Sequence, residues 1–215
     1  MRRWIVGVLL GVLVLAGCGE KPVQTRGVYM LLDTSGTYTE ELGKAQQIIN
    51  YLLANMGPGD SFAVARIDTG SFSEKDIIAK VTFDQRPSVA NDQKRMFREK
   101  IDRFVKEVRS SPYTDINGGL LQAVEYLGEV NPEKKTVLIF SDMKEELKPG
   151  YVRDFPIQLE GFSVFAINVI KLREDIKDPR EYMGRLEEWK NRIVSGGGNW
   201  QVINDLERLE PILAH

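Results

Sequence analysis

The amino-acid sequence predicts a doubly wound α/β domain, in which helices cover both faces of a mostly parallel sheet. Short, almost continuously apolar runs recur along the chain, as they do in strands that are buried on both faces. Between these runs lie longer segments whose apolar residues recur at the spacing of an amphipathic helix. Apolar residues make up 42% of the 215 residues and charged residues 28%. This balance is typical of a folded globular protein.

The first half of the predicted domain alternates strands with a helix. Residues 27–33 (GVYMLLD) are a short apolar run and form the first strand. Residues 40–56 carry leucine, isoleucine and alanine at helical spacing, and the Gly-Pro-Gly sequence of residues 57–59 ends that helix. Residues 62–67 (FAVARI) form the second strand. Residues 77–83 (IIAKVTF) form a third strand, which we place at an edge of the sheet, and we expect one edge strand of the sheet to be antiparallel.

The second half continues the same alternation to the end of the chain. Further helices are predicted where apolar residues fall on one face, over residues 91–108, 116–127, 182–193 and 205–213. Continuously apolar runs predict strands over residues 136–140 and 162–170. A short run that follows glycines predicts a last strand over residues 200–203. Strands separated by helices in this way indicate a parallel sheet that is covered on both faces.

The first 17 residues have the features of a secretory signal. Arg2 and Arg3 precede an uncharged apolar stretch of about 12 residues, shorter than the ~20 that a membrane-spanning helix needs. Residues 15–18 then read Leu-Ala-Gly-Cys, which resembles the lipobox of bacterial lipoproteins. The resemblance implies that residues 1–17 are removed and that Cys18 is lipidated. The alternative is an ordinary signal peptide or membrane anchor with a chance cysteine.

Residues 18–26 would then tether a domain that spans residues 27–215 to a membrane outside the cytoplasm. Acyl chains on Cys18 would be the anchor, each buried methylene adding ~0.8 kcal/mol. Gly19 stands where an aspartate favours retention in the inner membrane of Gram-negative cells, so we expect the outer membrane in such a cell. The predicted location is the cell envelope.

Composition excludes several functional classes. The formal net charge is −2, so no basic excess indicates a nucleic-acid partner. Cys18 is the only cysteine and His215 the only histidine, which argues against a disulfide, a zinc site and a Ser-His-Asp arrangement. The glycine-rich residues 195–198 lack the lysine of a phosphate-binding loop, and we interpret them as a helix C-cap and turn.

Polar residues follow two of the predicted strands. Asp33 and Ser35 come at the end of the first strand, Asp142 follows residues 136–140, and Thr114 precedes the helix over residues 116–127. In parallel sheets ligands bind beyond the carboxyl ends of the strands, near the switch point in strand order. Hydroxyl and carboxylate oxygens are ligands that suit Mg²⁺ or Mn²⁺. The sequence therefore predicts a divalent-cation site at this edge of the sheet.

This arrangement resembles the metal-ion-dependent adhesion site of von Willebrand factor A-type (VWA) domains. The D-x-S-x-S motif of that family is matched by Asp33, Ser35 and Thr37, where Thr37 replaces the usual serine. Its threonine is matched by Thr114, which Ile116, Gly119 and Leu120 follow at the family's spacing, and its serine-aspartate pair is matched by Ser141 and Asp142. The resemblance extends over almost the whole predicted domain.

The resemblance implies a function in binding rather than catalysis. In that family the hydroxyls hold the cation directly and the acids often act through water. A coordination position then stays open for an acidic side chain of a partner protein. The expected metal-site residues are Asp33, Ser35, Thr37, Thr114 and Asp142. Asp115 is expected to be a turn residue or a helix N-cap.

Two other functions stay open from the sequence. The chain could be an envelope scaffold that binds its partner without metal. It could also be a phosphoaspartyl phosphatase-like enzyme with Asp33 as nucleophile, although Ser35 stands where those enzymes need a second aspartate. Three further expectations concern residues outside the motifs. The charged residues Lys144, Glu145 and Glu146, beside the predicted site, are expected in a solvated loop; the alternative is that they tune which acidic ligand is accepted. Trp189 and Trp200 are expected in packing, with a binding surface as the alternative, and the loop over residues 69–76 is given no role.

Overall fold

The computed structural model describes residues 24–214, apart from residues 69 and 71, and of Thr37 it describes the backbone only. The predicted signal, the lipidation site Cys18 and most of the tether lie outside the described residues. Among the residues that are described, no helix combines the length and the apolar character needed to cross a bilayer.

A six-stranded sheet forms the centre of the domain. Its strands are β1 (Arg26–Asp33), β2 (Ser61–Ile67), β3 (Ile77–Thr82), β4 (Lys134–Phe140), β5 (Phe162–Ile167) and β6 (Asn199–Ile203). The strand order is β3-β2-β1-β4-β5-β6. All neighbours are parallel except β2 and β3, which are antiparallel. The predicted fold class, including the antiparallel edge strand, is confirmed.

Helices cover both faces of the sheet. The described chain contains α1 (Leu42–Asn55), α2 (Pro87–Glu107), α3 (Ile116–Val130), α4 (Arg173–Lys177), α5 (Pro179–Ser195) and α6 (Glu210–Ala214), and short 3-10 helices at Gly36–Glu41 and Glu74–Asp76. Successive residues of a strand point to opposite faces. Val28 and Met30 of β1 therefore pack in the cluster with α1, α2 and α6, whereas Tyr29 and Leu31 pack in the cluster with α3 and α5.

Several element boundaries differ from the prediction for local reasons. The fifth strand ends at Ile167 because Asn168 has a φ of 55°, which is left-handed rather than extended. Helix α2 begins earlier than predicted, with Pro87 in its first turn, where a missing amide hydrogen costs no hydrogen bond. Helix α4 was not predicted. The last helix begins at Glu210, because the Arg208 amide donates to the Asp205 carbonyl in a turn before it.

The chain order places a switch point at the middle of the sheet. From β1 the chain moves outward to β2 and β3, and from β4 it moves outward to β5 and β6 on the other side. The central strands β1 and β4 are hydrogen-bonded neighbours, and their register pairs Leu32 with Phe140. Asp33 follows Leu32 at the end of β1, and Ser141 follows Phe140 directly after β4. These two residues therefore lie side by side at the carboxyl edge of the sheet.

Helix α3 lies close to the sheet at Gly119, and this contact yields a stability prediction. A Cβ at Gly119 would lie 2.6 Å from Cγ2 of Ile67 and 3.0 Å from a methyl carbon of Leu31. Gly119→Ala should therefore lower the free energy of unfolding by about 1–3 kcal/mol through overpacking. Gly128→Ala, in the same helix but with no atom within 4 Å of the added Cβ, should raise it by up to ~1 kcal/mol. Urea denaturation measures both, and equal effects of the two changes would contradict the close packing.

Candidate metal centre

The carboxylate of Asp33 is the point at which three loops meet. Asp33 is fully buried at the end of β1. Its Oδ1 accepts a hydrogen bond from the backbone amide of Ser35 at 2.8 Å and a longer one from the Thr114 hydroxyl at 3.4 Å. Its Oδ2 accepts from the Ser141 hydroxyl at 2.6 Å. The loops after β1, before α3 and after β4 are therefore joined through one carboxylate.

The donors that contact the buried Asp33 carboxylate from the described residues are all neutral. Burial raises the pKa of its carboxyl, and the hydrogen bonds from Ser141, Ser35 and Thr114 lower it in part. Among the ion pairs of the described residues, none includes Asp33. A buried carboxylate is costly unless a positive charge or a full set of donors compensates it. A bound cation at this edge would provide that charge.

Asp142 is the second carboxylate at this edge. It is 8% exposed and lies two residues after the end of β4, next to Ser141. Its Oδ1 accepts from the backbone amide of Lys144 at 2.8 Å. Burial raises the pKa of Asp142 to about 6, and the nearby charge of Asp33 contributes in the same direction. Arg185 and Lys144 lower it in part. The two acids therefore repel each other, a repulsion that a divalent cation between them would relieve.

The loop that carries Ser35 is fixed from two sides. The amide of Ser111 donates to the carbonyl of Thr34 at 2.8 Å, and the amide of Gly36 donates to the carbonyl of Ser111 at 3.3 Å. On the other side Tyr38 is buried and packs edge-on against Phe140, with ring centroids 5.2 Å apart. The Tyr38 hydroxyl also donates to a backbone carbonyl that follows β5. The backbone on both sides of Thr37 is thus held in place.

Thr114 and the start of α3 are held by the loop that follows β4. The amide of Thr114 donates to the carbonyl of Glu146 at 2.9 Å, and the amide of Glu146 donates back at 3.0 Å. Asp115 caps α3 by accepting from the amide of Gly118 at 2.8 Å, which confirms the N-cap prediction. The same carboxylate accepts from Arg153 Nε and Nη2 at 3.0 and 2.9 Å. Asp115 is therefore occupied by helix and ion-pair contacts.

The site residues border an open groove of about 410 Å³. Its lining includes three of the predicted residues, Ser35, Thr114 and Asp142. It also includes Gly36 of the first motif and the charged residues Lys144 and Glu146, and it includes residues that the sequence prediction missed, namely Ser110, Ser111, Pro112 and Leu172. Ser110 and Ser111 precede Thr114 in its loop, so the edge-of-sheet argument that selected Thr114 applied to them too. No feature of the sequence pointed to Leu172.

The donor chemistry fits a hard divalent cation. Asp33, Ser35, Thr114 and Asp142 come together at one edge of the sheet, whereas the side chain of Thr37 lies outside the described atoms. Across the described residues, no group of three or more His, Cys, Asp or Glu side chains could hold a metal. A cation here would consequently depend on hydroxyl oxygens in addition to the two carboxylates. Such oxygen ligands suit Mg²⁺ or Mn²⁺.

The remaining sequence expectations have mixed outcomes. Lys144 and Glu146 are exposed, as expected for a solvated loop. The expectation is wrong for Glu145, which is half-buried and accepts from the backbone amide and side chain of Asn117 at 2.9 and 2.8 Å. Trp189 is 5% exposed and packs in the core, as expected. Helix α5 ends at Ser195, and the turn after it confirms the predicted C-cap.

Solved structures with a similar fold include a pilus adhesin. The pilus adhesin SpaC from Lactobacillus rhamnosus GG, in an open conformation, matches with a TM-score of 0.55 at 12% identity, over 91% of this chain and 30% of the adhesin. This likeness shows a common fold. The order of the strands and the single antiparallel edge are those of a doubly wound, Rossmann-like α/β fold. No protein-family model matches the sequence, and no curated protein is significantly similar to it.

Two further solved structures are more distant. A von Willebrand factor type A protein from Catenulispora acidiphila matches at 14% identity with a TM-score of 0.49, over 87% of this chain and 41% of that protein. Manganese-loaded TRAP protein from Plasmodium vivax matches at 14% identity with a TM-score of 0.41, over 75% of this chain and 63% of TRAP. The present chain spans less than half of the adhesin and of the Catenulispora protein.

The raised pKa of Asp142 predicts how stability depends on pH in the presence of a chelator. The folded state binds the Asp142 proton more tightly than the unfolded state does, so the free energy of unfolding should fall as pH rises from about 4 to about 6. Asp142→Asn removes this penalty and should be more stable than the wild type at pH 7.5, by about 3 kcal/mol. The difference should shrink as the pH falls below about 6.

Urea denaturation in EDTA at pH 4.5 and 7.5 measures this difference. The control is Asp154→Asn, a change at a solvent-exposed aspartate, which should leave stability unchanged at both pH values. If Asp142→Asn were less stable than the wild type at pH 7.5, Asp142 would not be a destabilising buried charge in the metal-free domain.

Proposed function

We propose that this chain is a VWA-type domain that binds a protein partner through a divalent cation, Mg²⁺ or Mn²⁺. The hydroxyls of Ser35, Thr37 and Thr114 would hold the cation directly, and the carboxylates of Asp33 and Asp142 would act through water. The observation that carries the proposal is the convergence of three loops on the buried Asp33 carboxylate, beside a second buried acid and an open groove.

The choice of ligands determines the kind of partner. Neutral hydroxyls do not cancel the charge of the cation, so the ion would keep most of its charge and favour an anionic ligand in an open position. The groove beside the site gives a protruding side chain room to approach. An aspartate or glutamate of another protein would complete the coordination. The cation would attract the partner's carboxylate electrostatically. The residues of this chain would hold the cation in place, and the groove would let the partner's side chain reach it.

We propose binding rather than catalysis because the candidate nucleophiles are occupied. Both oxygens of Asp33 accept hydrogen bonds and the residue is fully buried, so its carboxylate is poorly placed to attack a phosphoryl group. The Ser141 hydroxyl donates to Asp33 and accepts from the amide of Met143 at 3.0 Å. These contacts disfavour the phosphoaspartyl alternative. They do not distinguish a metal-dependent binding protein from a metal-free scaffold. The metal titration described next distinguishes these two functions.

A metal titration of the full chain in mild detergent tests the proposal. Calorimetry should show saturable Mn²⁺ or Mg²⁺ binding to the wild type and none to the Asp33→Ala/Asp142→Ala double variant. Asp154→Ala, which removes an exposed carboxylate away from the groove lining, serves as the matched control and should bind like the wild type. An absence of binding at millimolar metal, or equal binding to the double variant, would overturn the metal-dependent mechanism and favour the scaffold.

We also propose that lipid on Cys18 holds the domain at a membrane outside the cytoplasm. The tether from Gly19 to Arg26 is about eight residues long and spans at most ~28 Å when extended. The domain would then lie close to the bilayer, with its binding edge at the end of β1 opposite to the tether, and it would act on a partner that is in or near the same membrane. In a Gram-negative cell the outer membrane is the expected location.

Fractionation of cells that express the full chain tests the anchor. The wild type should be found with the membranes and should incorporate radiolabelled palmitate. Cys18→Ser should abolish the label and prevent cleavage at the lipobox, leaving an uncleaved precursor. Asp33→Ala keeps the cysteine and should behave like the wild type in this assay. A wild-type chain that carries no label would refute lipidation.

A further inference from the structure

Helix α5 holds the backbone of the loop that carries Asp142. The Nε of Arg185 donates to the carbonyl of Asp142 at 2.9 Å, and the indole nitrogen of Trp189 donates to the carbonyl of Met143 at 2.8 Å. Arg185 and Trp189 are four residues apart, so they lie on the same face of the helix. One helix face therefore holds two consecutive carbonyls of the metal-site loop.

Arg185 is itself fixed by a buried ion pair. Its Nη1 and Nη2 donate to the two carboxylate oxygens of Asp175 at 3.1 and 2.7 Å. The side chain of Asp175 is fully buried, and that of Arg185 is 12% exposed. Asp175 also accepts from the backbone amide of Leu172, a residue that lines the groove. A continuous series of contacts thus joins one wall of the groove to the backbone of Asp142.

The conformation of the loop explains why it needs this support. Met143 is buried and has a φ of 65°, in the left-handed region that a residue with a side chain seldom adopts. Within the loop, the Met143 amide donates to the Ser141 hydroxyl at 3.0 Å. Among the described residues, the hydrogen bonds that these two carbonyls accept come from Arg185 and Trp189 of α5. A change in Arg185 or Trp189 should therefore alter the direction of the Asp142 carboxylate.

We infer that Arg185 and Trp189 are positioning residues of the metal centre, which hold the Asp142 carboxylate in the geometry that favours the cation. The inference rests on the proposed function. Neither residue would touch the metal, and both would act through the peptide groups of Asp142 and Met143. Groups that orient metal ligands in this way typically change metal affinity by about 10- to 100-fold when they are removed.

The charge of Arg185 makes the inference open to a clear test. Removing a positive charge near a cation site reduces repulsion, so Coulomb's law alone predicts tighter metal binding in Arg185→Gln. Loss of positioning predicts the opposite, namely weaker binding. The sign of the change in affinity therefore distinguishes positioning from simple electrostatics. Arg185→Lys, which keeps the charge but cannot bridge Asp142 and Asp175 with a planar fork, should also bind weakly.

The experiment measures Mn²⁺ binding to the full chain in mild detergent by electron paramagnetic resonance. The matched control is Arg26→Gln, which breaks a similar arginine-aspartate pair, with Asp60, at the opposite end of β1. Arg185→Gln should bind Mn²⁺ at least about tenfold more weakly than the wild type, and Trp189→Phe several-fold more weakly. Arg26→Gln should remain within about twofold. If Arg185→Gln bound as tightly as Arg26→Gln or the wild type, the inference would be wrong.

A second measurement separates this inference from the proposed function. The backbone amide of Lys144 donates to the Asp142 carboxylate, so its nitrogen-15 signal reports the carboxylate position without metal. The signal, assigned with Lys144→Arg, should move in Arg185→Gln and stay in place in Arg26→Gln. If the wild type binds no Mn²⁺ and the signal still moves, the proposed function fails and the positioning effect stands. A signal that does not move overturns the positioning effect whatever the metal result.

Discussion

The rest of the site depends on the need to satisfy one buried carboxylate. Asp33 ends the central strand, and the pairing of β1 with β4 brings it beside Ser141 where water is excluded. An unsatisfied charge there would cost several kcal/mol. The loops after β1, after β4 and before α3 each contribute a donor, and this requirement draws Ser35 and Thr114 to the same point. The same contacts bring the Thr114 hydroxyl, and the residue that carries the Ser35 hydroxyl, to the edge where a cation would bind.

The segment that follows β5 has the less obvious role of fixing both halves of this edge. Asn168, the first residue after β5, accepts from Tyr38 next to the first loop. Further along the segment, Asp175 fixes Arg185, which donates to the backbone of Asp142. Both central strands thus have their terminal loops tied to the same stretch of chain. A displacement of that segment would therefore move the loop after β1 and the loop after β4, which lie on the two sides of the switch point.

The sequence predicted those parts of the site that local pattern determines. Strand ends in a parallel sheet lie at a common edge, so Asp33 and Asp142 could be placed together from the order of apolar runs alone. Leu172 and Arg185 could not be assigned to the site from the sequence. Their role depends on contacts between segments that are distant in the chain, and hydrophobic periodicity and motif spacing carry no information about such contacts. The end of β5 was missed for a related reason, since the left-handed Asn168 is set by its tertiary hydrogen bonds. Glu145 was taken for solvated charge because its partner Asn117 is 28 residues away.

The charges around the groove limit which ligand the site would accept. Lys144 is the one cationic side chain among the described residues that line it, and its ammonium lies 3.0 Å from Glu146 and 2.9 Å from Glu174. That positive charge is therefore already shared between two acids. Without a metal, the acids at this edge would repel a partner's carboxylate. With a metal whose direct ligands are mainly neutral, the same edge would attract it. An acidic partner would consequently be recognised only when the cation is present, so metal occupancy would control binding as well as strengthen it.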